Sequence, residues 1–308
     1  MMRRALLVAS NSTWMRERAT RYPFVRRAVR RFMPGETLDE ALAAARELQT
    51  RGLASITTWL GENVEDESRA AGVAAHYVGA LDRIADSAVD AEISVKLTHL
   101  GLDLGEEVAR RNVTMIARAA QQAGRRVWID MEGSAYTEAT LGLYRKLAPA
   151  YRCLGVCLQA YLRRTPADLE SLLPLKPAIR LVKGAYREPP ALAFPRKADV
   201  DEAWMRLAVR LLGASSGDAG VWTVFGTHDP RLIRKVEDHA AARRIARDRF
   251  EFDLLYGIRR DEQERLARAG YRVRVLISYG SYWYPWYMRR LAERPANLWF
   301  VARSMLRA

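Results

Sequence analysis

The chain has 308 residues, of which 49% are apolar and 28% are charged, and its net charge at neutral pH is +14. This composition excludes a mostly disordered chain and suits a protein with a large buried core. Because 44 of its 50 basic residues are arginine, a GC-rich genome accounts for the excess as well as a nucleic-acid partner does. No zinc-finger spacing or RNA-binding aromatic signature accompanies it, so we predict no nucleic-acid partner.

The first 33 residues combine nine arginines with scattered apolar residues such as Trp14, Phe24 and Phe32. One interpretation is an ordinary surface helix, and the other is a basic amphipathic segment that rests on an anionic membrane surface. The apolar run ALLVA is too short for a signal-peptide core, which needs about 7–15 residues. No run approaches the ~20 apolar residues that span a bilayer. We therefore expect a cytoplasmic protein, with the inner face of the cell membrane as a candidate site of peripheral attachment.

Eight short runs rich in β-branched and large apolar residues follow in the chain. Several are apolar on both faces, as strands of a covered parallel sheet are. Segments with helical periodicity precede some of these runs, and each ends near a glycine, as helix C-termini often do. The predicted strands cover residues 53–59, 92–98, 126–131, 154–160, 179–185, 221–227, 250–255 and 273–278, and the clearest helical segments cover 43–53, 106–124, 201–213 and 261–270.

Alternation of strands and helices predicts right-handed crossovers and a parallel sheet. Eight such units in about 250 residues match the count and size of a (β/α)8 barrel. The alternative is a doubly wound open sheet, which usually carries a glycine-rich phosphate loop after its first strand. TTWLGENVEDE stands at that place and has no such loop. We predict one domain, with an N-terminal helical arm over residues 1–50 and a catalytic barrel over residues 51–308.

Polar side chains stand at the carboxyl ends of several predicted strands, where a barrel places its active site. Their recurrence around the sheet indicates an enzyme rather than a non-catalytic basic protein that binds nucleic acid or membrane. Cys153 and Cys157 have no nearby histidine and are interpreted as buried thiols, so no metal site is predicted. The strand-end residues are Lys96, Asp130, Glu132, Gln159, Lys183, Thr227, His228 and Tyr256.

The same strand ends carry motifs that resemble those of the bacterial monofunctional proline dehydrogenase family. The motifs occur in the order of the family and cover about residues 30–305. They are SVKLTHLGLDL (94–104), IDMEGS (129–134), LQAYLRRT (158–165), RLVKGAYREP (180–189), THDPRLI (227–233), FEFDLLYGI (250–258) and YMRRLAERPAN (287–297).

The resemblance implies a distorted (β/α)8 barrel that holds FAD without a covalent link, with a final helix over the barrel mouth. It implies oxidation of L-proline to Δ1-pyrroline-5-carboxylate by hydride transfer to flavin N5. It also implies that the electrons pass to a membrane quinone. The protein would supply orientation, charge pairing with the carboxylate and exclusion of water, while the flavin supplies the redox chemistry.

The resemblance also implies a role for individual residues. Arg289 and Arg290 would grip the substrate carboxylate, because a guanidinium pairs with a carboxylate through two parallel hydrogen bonds. Glu293 lies one helical turn away in sequence and would orient these arginines or reach Lys96. The implied substrate wall comprises Ala185, Tyr186, Leu255, Leu276 and Trp286. The implied cofactor contacts are Asp130, Met131, Gln159, Arg180, Val182, Lys183, Gly184, Thr227 and His228.

Four positions depart from the usual pattern of the family. Leu276 and Trp286 replace tyrosines of the substrate pocket, Asp253 replaces a glutamine, and His99 stands where glutamine or another polar residue is common. One interpretation is ordinary drift with proline still the substrate. The other is a paralogue that oxidises a different proline-like cyclic amino acid, because a leucine in place of a tyrosine changes both the shape and the hydrogen bonding of the pocket.

Overall fold

A computed structural model describes residues 29–216 and 220–284 of the chain. Eight parallel strands pair in chain order and close into a barrel, in which β8 returns to β1 with Ala54 opposite Arg274 and Trp59 opposite Tyr279. The strands are β1 Ala54–Trp59, β2 Ala91–Val95, β3 Val127–Ile129, β4 Leu154–Gln159, β5 Ala178–Val182, β6 Trp222–Gly226, β7 Phe250–Leu255 and β8 Arg272–Tyr279. The predicted barrel is confirmed, and the doubly wound alternative is wrong.

Helices occupy the segments that connect the strands. The α-helices are α1 Leu38–Gln49, α2 Glu67–Asp86, α3 Glu106–Gln122, α4 Thr137–Leu147, α5 Thr165–Leu172, α6 Lys197–Ser215, α7 Pro230–Ala242 and α8 Arg260–Arg268. Short 3-10 turns span Thr98–Leu100, Ser134–Tyr136, Leu173–Leu175 and Arg247–Arg249. Within the described ranges, none of the helices has the length and apolarity of a membrane-spanning segment.

Glycines end α1, α3 and α8 as the sequence predicts, with positive φ at Gly52, Gly124 and Gly270. The prediction that residues 201–213 end at Gly213 is wrong, because α6 continues through this glycine to Ser215. Gly213 is not among the positive-φ residues. A glycine inside a helix lowers its stability without ending it.

Helix α1 shows how local sequence and packing agree. Thr37 Oγ1 accepts a hydrogen bond from Glu40 N, and the Glu40 carboxylate accepts one from Thr37 N, which forms a capping box at the start of the helix. Leu42 and Leu48 lie on the buried face and join the same core as Leu53 at the start of β1. Thus α1 packs directly on the barrel. The proposed boundary at residue 50, and the arm formed with residues 1–28, stay predictions because those first residues lie outside the described ranges.

Most strands are shorter than their apolar runs predict, and β2 and β3 are two examples. Strand β2 stops at Val95 and β3 at Ile129. Beyond them, the buried Glu132 carboxylate accepts hydrogen bonds from Thr98 N at 3.1 Å and Thr98 Oγ1 at 2.7 Å. Side-chain hydrogen bonds therefore replace the backbone ladder at this rim, and the polar residues of the loops turn into the barrel mouth.

The barrel interior consists of an apolar layer and two charged layers. Ile56, Trp128, Ala178 and Val224 form the apolar cluster, with Leu276 packed on it. Arg274 and Glu251 lie near the amino ends of their strands, whereas Arg180 lies nearer the mouth. A barrel interior is normally filled by large aliphatic side chains. The buried charges of this interior therefore depart from the usual packing of a barrel.

Candidate active site

Arg180 is the central side chain of the candidate site. It lies on β5, is 3% exposed, and donates through its three guanidinium nitrogens to residues of β2, β4 and β7 and to Asp130, which directly follows β3. Nε contacts Cys157 Sγ at 2.8 Å, and Nη2 contacts Ser94 Oγ at 2.7 Å and Asp130 Oδ1. Nη1 faces Asp253 Oδ2 at 3.5 Å. The arginine is thus held in one position by residues on, or directly after, four strands.

The surroundings of Arg180 determine its charge and that of its neighbours. Burial by itself would lower the pKa of Arg180, but the nearby Cys157, Asp130 and Asp253 outweigh burial and raise it. Burial raises the pKa of the Cys157 thiol to about 12. The arginine is therefore a permanent cation, and Cys157 is a neutral thiol that accepts its hydrogen bond.

Lys96 follows β2 at the rim and forms an ion pair with Glu62, at 2.8 Å between Nζ and Oε2. Both side chains are mostly buried, with 19% and 16% exposed. The resemblance implied Glu293 as a partner of Lys96, and Glu293 lies outside the described residues. Glu62 was not predicted as a site residue, because the loop after β1 was considered only as a place for a glycine-rich phosphate-binding pattern.

Lys183 follows β5 and lies between two carboxylates. Its Nζ is 2.5 Å from Asp201 Oδ1 on α6 and 3.2 Å from Asp229 Oδ2 at the start of α7. Burial would raise the pKa of Asp229, but hydrogen bonds from Arg231 and the charge of Lys183 lower it well below its usual range. A cavity of about 630 Å³ adjoins these residues between α6 and α7. Its volume falls within the range of small-molecule sites.

Gln159, Gly184 and Thr227 bring polar backbone and side-chain groups to the ends of β4, β5 and β6. Gln159 Nε2 donates to Met131 O at 3.1 Å, whereas its buried Oε1 has no hydrogen-bond partner within the described ranges. Buried polar atoms are normally paired, so this oxygen suits a hydrogen-bond donor from a bound molecule. Thr227 Oγ1 accepts from Asp229 N at 3.2 Å. Val182 pairs with Gln159 across the strands.

Gly184 adopts a φ of +109°, and a Cβ there would lie 2.1 Å from the ring of Tyr161. We expect Gly184→Ala to lower the free energy of unfolding by about 1–3 kcal/mol, because the side chain adds both backbone strain and a steric clash. Gly142→Ala is the matched control, since Gly142 lies in α4 with nothing within 4 Å of a Cβ. This control is expected to gain about 0.5–1 kcal/mol. Urea unfolding of both variants checks the difference, and equal stabilities would contradict it.

The implied substrate wall is partly described. Leu255 and Leu276 are paired across β7 and β8, and both are half-buried. Ala185 is exposed and Tyr186 is half-buried in the segment after β5, and His228 is half-buried after β6. The remaining implied residues of the carboxylate clamp and of the final helix lie outside the described residues. They are Trp286, Arg289, Arg290 and Glu293.

His99 and Asp253 occupy buried positions. His99 lies against Trp59, with ring centroids 5.4 Å apart, and its Nδ1 has no hydrogen-bond partner in the described part of the chain. Burial and the charge of Lys96 lower the pKa of His99 to about 4, so it is neutral at pH 7. Asp253 lies in the barrel interior beside Arg180 rather than in a substrate wall.

Sequence reasoning missed several residues of the charged interior. Four of these side chains point into the barrel, but the strands were predicted to be apolar, with polar side chains only at their ends. The four residues are Ser94, Cys157, Glu251 and Arg274. The signal was present as a spacing of two in Glu251-x-Asp253 and Arg272-x-Arg274, because successive strand residues alternate between the two faces.

The barrel and its ring of polar strand ends define the class of a (β/α)8 enzyme whose site lies at the carboxyl ends of the strands. Residues 41–303 match the family profile described as "Proline dehydrogenase". The chain belongs to the proline dehydrogenase family, which is a family of oxidoreductases.

Named relatives support this membership. The chain is 39% identical to "Proline dehydrogenase 1" of Bacillus subtilis subsp. natto over 308 residues, which is 100% of both chains. It is 37% identical to "Proline dehydrogenase" of Deinococcus radiodurans over 282 residues, which cover 90% of this chain and 89% of the relative. The crystal structure of proline utilization A (PutA) from Bdellovibrio bacteriovorus inactivated by N-propargylglycine shares the fold, with a TM-score of 0.79 and 23% identity. That match covers 87% of this chain and 32% of the other.

Proposed function

We propose that this protein oxidises L-proline to Δ1-pyrroline-5-carboxylate with non-covalently bound FAD. The observation that carries the proposal is the convergence of Asp130, Gln159 and Arg180 below the barrel mouth, in a chain that belongs to the proline dehydrogenase family. The names of the full-length relatives point to proline as the substrate.

The residues at the mouth fit FAD in charge and in shape. The unpartnered Gln159 Oε1 offers an acceptor, and the positive φ of Gly184 lets the backbone approach a ligand closely. Lys183, which lies between Asp201 and Asp229, offers a cation just beyond the end of β5. We assign Asp130, Met131, Arg180, Val182, Thr227 and His228 to the same cofactor site.

FAD, when bound, supplies the acceptor for the hydride that leaves C5 of proline. The protein holds the substrate with its amine neutral, so that the nitrogen lone pair forms the C=N bond as the hydride leaves. Arg289 and Arg290 bind the carboxylate, and Lys96 adds positive charge on the substrate side. Ala185, Tyr186, Leu255, Leu276 and Trp286 enclose the ring and exclude water.

The electron acceptor that we propose is a membrane quinone. The basic segment over residues 1–33 would then bring the protein to an anionic membrane surface by charge attraction. Sedimentation with anionic and with neutral vesicles tests this attachment. Salt-sensitive binding to the anionic vesicles is expected, and equal binding to both kinds contradicts it.

The direct test is an anaerobic absorbance spectrum of the purified protein before and after addition of L-proline. A flavin band that bleaches is the expected result. A flavin band that stays oxidised retains the cofactor assignment but rejects proline as the substrate. A protein without a flavin band, even after incubation with FAD, contradicts the proposal as a whole.

A second candidate function is oxidation of a different proline-like cyclic amino acid. Leu276 favours it, because this leucine, opposite Leu255 in the strand register, packs an apolar side chain against the cluster of the barrel interior. We expect the double change Leu276→Tyr and Trp286→Tyr to raise kcat/KM for proline about 5- to 100-fold if the native substrate is a larger ring. Leu276→Phe serves as the control without the hydroxyl. Unchanged or lower turnover of proline supports proline as the native substrate.

A further inference from the structure

Inside the barrel, carboxyl groups outnumber guanidinium groups. Arg180 and Arg274 are buried, with 3% and 5% exposed. Five carboxyl groups lie within ion-pair distance of them. Asp90 is 53% exposed to solvent, whereas the other four lie in the barrel interior with side chains at most 25% exposed. Unpaired charge is costly there, so at least one carboxyl group is expected to keep its proton. The four acids are Glu92, Asp130, Glu251 and Asp253.

The acids near the amino ends of the strands are well paired. Arg274 donates to both oxygens of Glu251, at 2.9 Å from Nε and 3.4 Å from Nη2. Glu92 accepts a hydrogen bond from the indole nitrogen of Trp128 at 2.6 Å. Both acids therefore accept hydrogen bonds from nitrogen donors of the interior. Neither acid requires a proton to account for its contacts.

The two acids near the mouth are paired unequally. Asp130 Oδ1 contacts Arg180 Nη2 and also accepts from Ser94 Oγ at 2.9 Å. Asp253 Oδ2 lies 3.5 Å from Arg180 Nη1, which is longer than the roughly 2.7–2.9 Å of a charge-assisted hydrogen bond. Its Oδ1 is buried without a hydrogen-bond partner among the described residues. Asp253 therefore shares its nearest cation, Arg180, with Asp130 and has the longer contact of the two.

We propose that Asp253 holds a proton at neutral pH and, as a neutral acid, is a positioning residue for the guanidinium group of Arg180. A neutral Asp253 leaves the charge of Arg180 to its close contact with Asp130 and does not neutralise that charge a second time. A protonated acid at position 253 is a neutral polar group, as is the glutamine that the family commonly has there. The replacement therefore keeps the charge of the site at neutral pH.

Electrostatics around Asp253 favour the same assignment. Burial raises the pKa of Asp253 well above its usual range, Glu251 adds to this, and Arg180 only partly offsets it. Burial also raises the pKa of Glu251. We assign the proton to Asp253 because Glu251 has the two-point contact with Arg274. Strands β1 and β6 carry no charged residue. The groups that face Asp253 from the other strands are Glu92, Asp130, Cys157, Arg180, Glu251 and Arg274.

Such a proton makes stability depend on pH in a defined direction. An aspartate of the unfolded chain ionises near pH 3.9. If Asp253 keeps its proton to higher pH in the folded state, its contribution to the free energy of unfolding is fully present below the pKa that it has in the unfolded chain. This contribution is lost as the pH rises toward the pKa that Asp253 has in the folded state. Asp253→Asn retains the shape without the titration. We expect the stability of this variant relative to the wild type to increase from about pH 5 to about pH 8 in urea unfolding.

Infrared spectroscopy of the flavin-free protein at neutral pH tests the proton directly. The wild type is expected to show a carbonyl stretching band of a protonated carboxylic acid that shifts in D2O, is lost in Asp253→Asn and persists in Glu251→Gln. A band lost in Glu251→Gln instead, or no difference between wild type and Asp253→Asn, overturns the assignment. If Asp253→Asn does not fold, Asp253→Gln replaces it in the same comparison.

A second readout concerns the position of Arg180 and rests on the proposed function, because it requires bound FAD. The reduction potential of the flavin is expected to fall more steeply with pH in the wild type than in Asp253→Asn, since ionised Asp253 removes positive charge from the site. Parallel pH profiles contradict the positioning role. Absence of flavin contradicts the proposed function alone and leaves the infrared result to decide on the proton.

Discussion

Replacement of Arg180 by methionine is expected to lower the free energy of unfolding by about 3–5 kcal/mol, because it leaves a buried carboxylate without its cation. Among the described residues, Asp130 Oδ1 would keep the Ser94 hydroxyl at 2.9 Å and the Cys157 thiol at 3.6 Å as its donors. Urea unfolding measures the loss. Arg206→Met is the matched control, because the Arg206 side chain is 61% exposed and, among the residues that the structure describes, forms an ion pair only with Glu202 on the same helix face. This control is expected to change stability by about 1 kcal/mol or less.

A double variant separates loss of charge from loss of packing. If the uncompensated Asp130 carboxylate causes the instability, Arg180→Met combined with Asp130→Asn is expected to be more stable than Arg180→Met alone. The combination with Asp253→Asn is expected to recover less, because Asp253 is the neutral member of the site. Equal recovery by both double variants would show that the two acids share the charge of Arg180 equally. A loss that neither change reduces would identify packing as the cause.

Arg289→Lys is expected to raise the KM for L-proline about ten- to hundredfold, with flavin content unchanged. A lysine retains the charge but offers no planar fork, and a charge-assisted hydrogen bond contributes about 1.5–3 kcal/mol. Since 1.4 kcal/mol corresponds to a factor of ten, this loss accounts for the expected range. Steady-state kinetics with L-proline measure the effect.

Two controls make the result specific to the carboxylate. Arg294→Lys changes an arginine of the same segment and is expected to leave KM within about twofold, because it is not one of the two arginines assigned to the carboxylate. Pyrrolidine has the ring amine without the carboxylate, so its binding is expected to respond little to Arg289→Lys. If the variant retains full affinity for proline, the carboxylate clamp is assigned to the wrong residue.

Local sequence was sufficient to predict the strand order and the barrel, because eight apolar runs alternated with helical segments. It was less able to predict where these elements stop. Strand β3 contains three residues although the run RVWIDM suggested six, since Glu132 beyond it binds Thr98 in the loop after β2 instead of extending the ladder. Helix α6 passes through Gly213 because helix packing overrides a weak local preference.

The polar strand ends could be named from sequence because a parallel barrel brings all carboxyl ends of its strands to one face. Lys96, Asp130, Gln159 and Lys183 follow from that rule and from the family motifs. Their partners could not be named, because contact depends on which strands face each other across the closed barrel. Glu62 reaches Lys96 from the loop after another strand, and Asp201 reaches Lys183 from a helix.

At Asp253, the sequence determined the residue type and the tertiary structure determined its surroundings. Comparison of the sequence with the family pattern indicated the replacement of an amide by an acid, and with it a potential new charge. The closed barrel instead places this acid beside Arg180, in an interior where three other carboxyl groups compete for two arginines. The chain order determines which residues are present on each strand. Closure of the sheet determines which charges become neighbours, and burial determines which of the acids retains a proton.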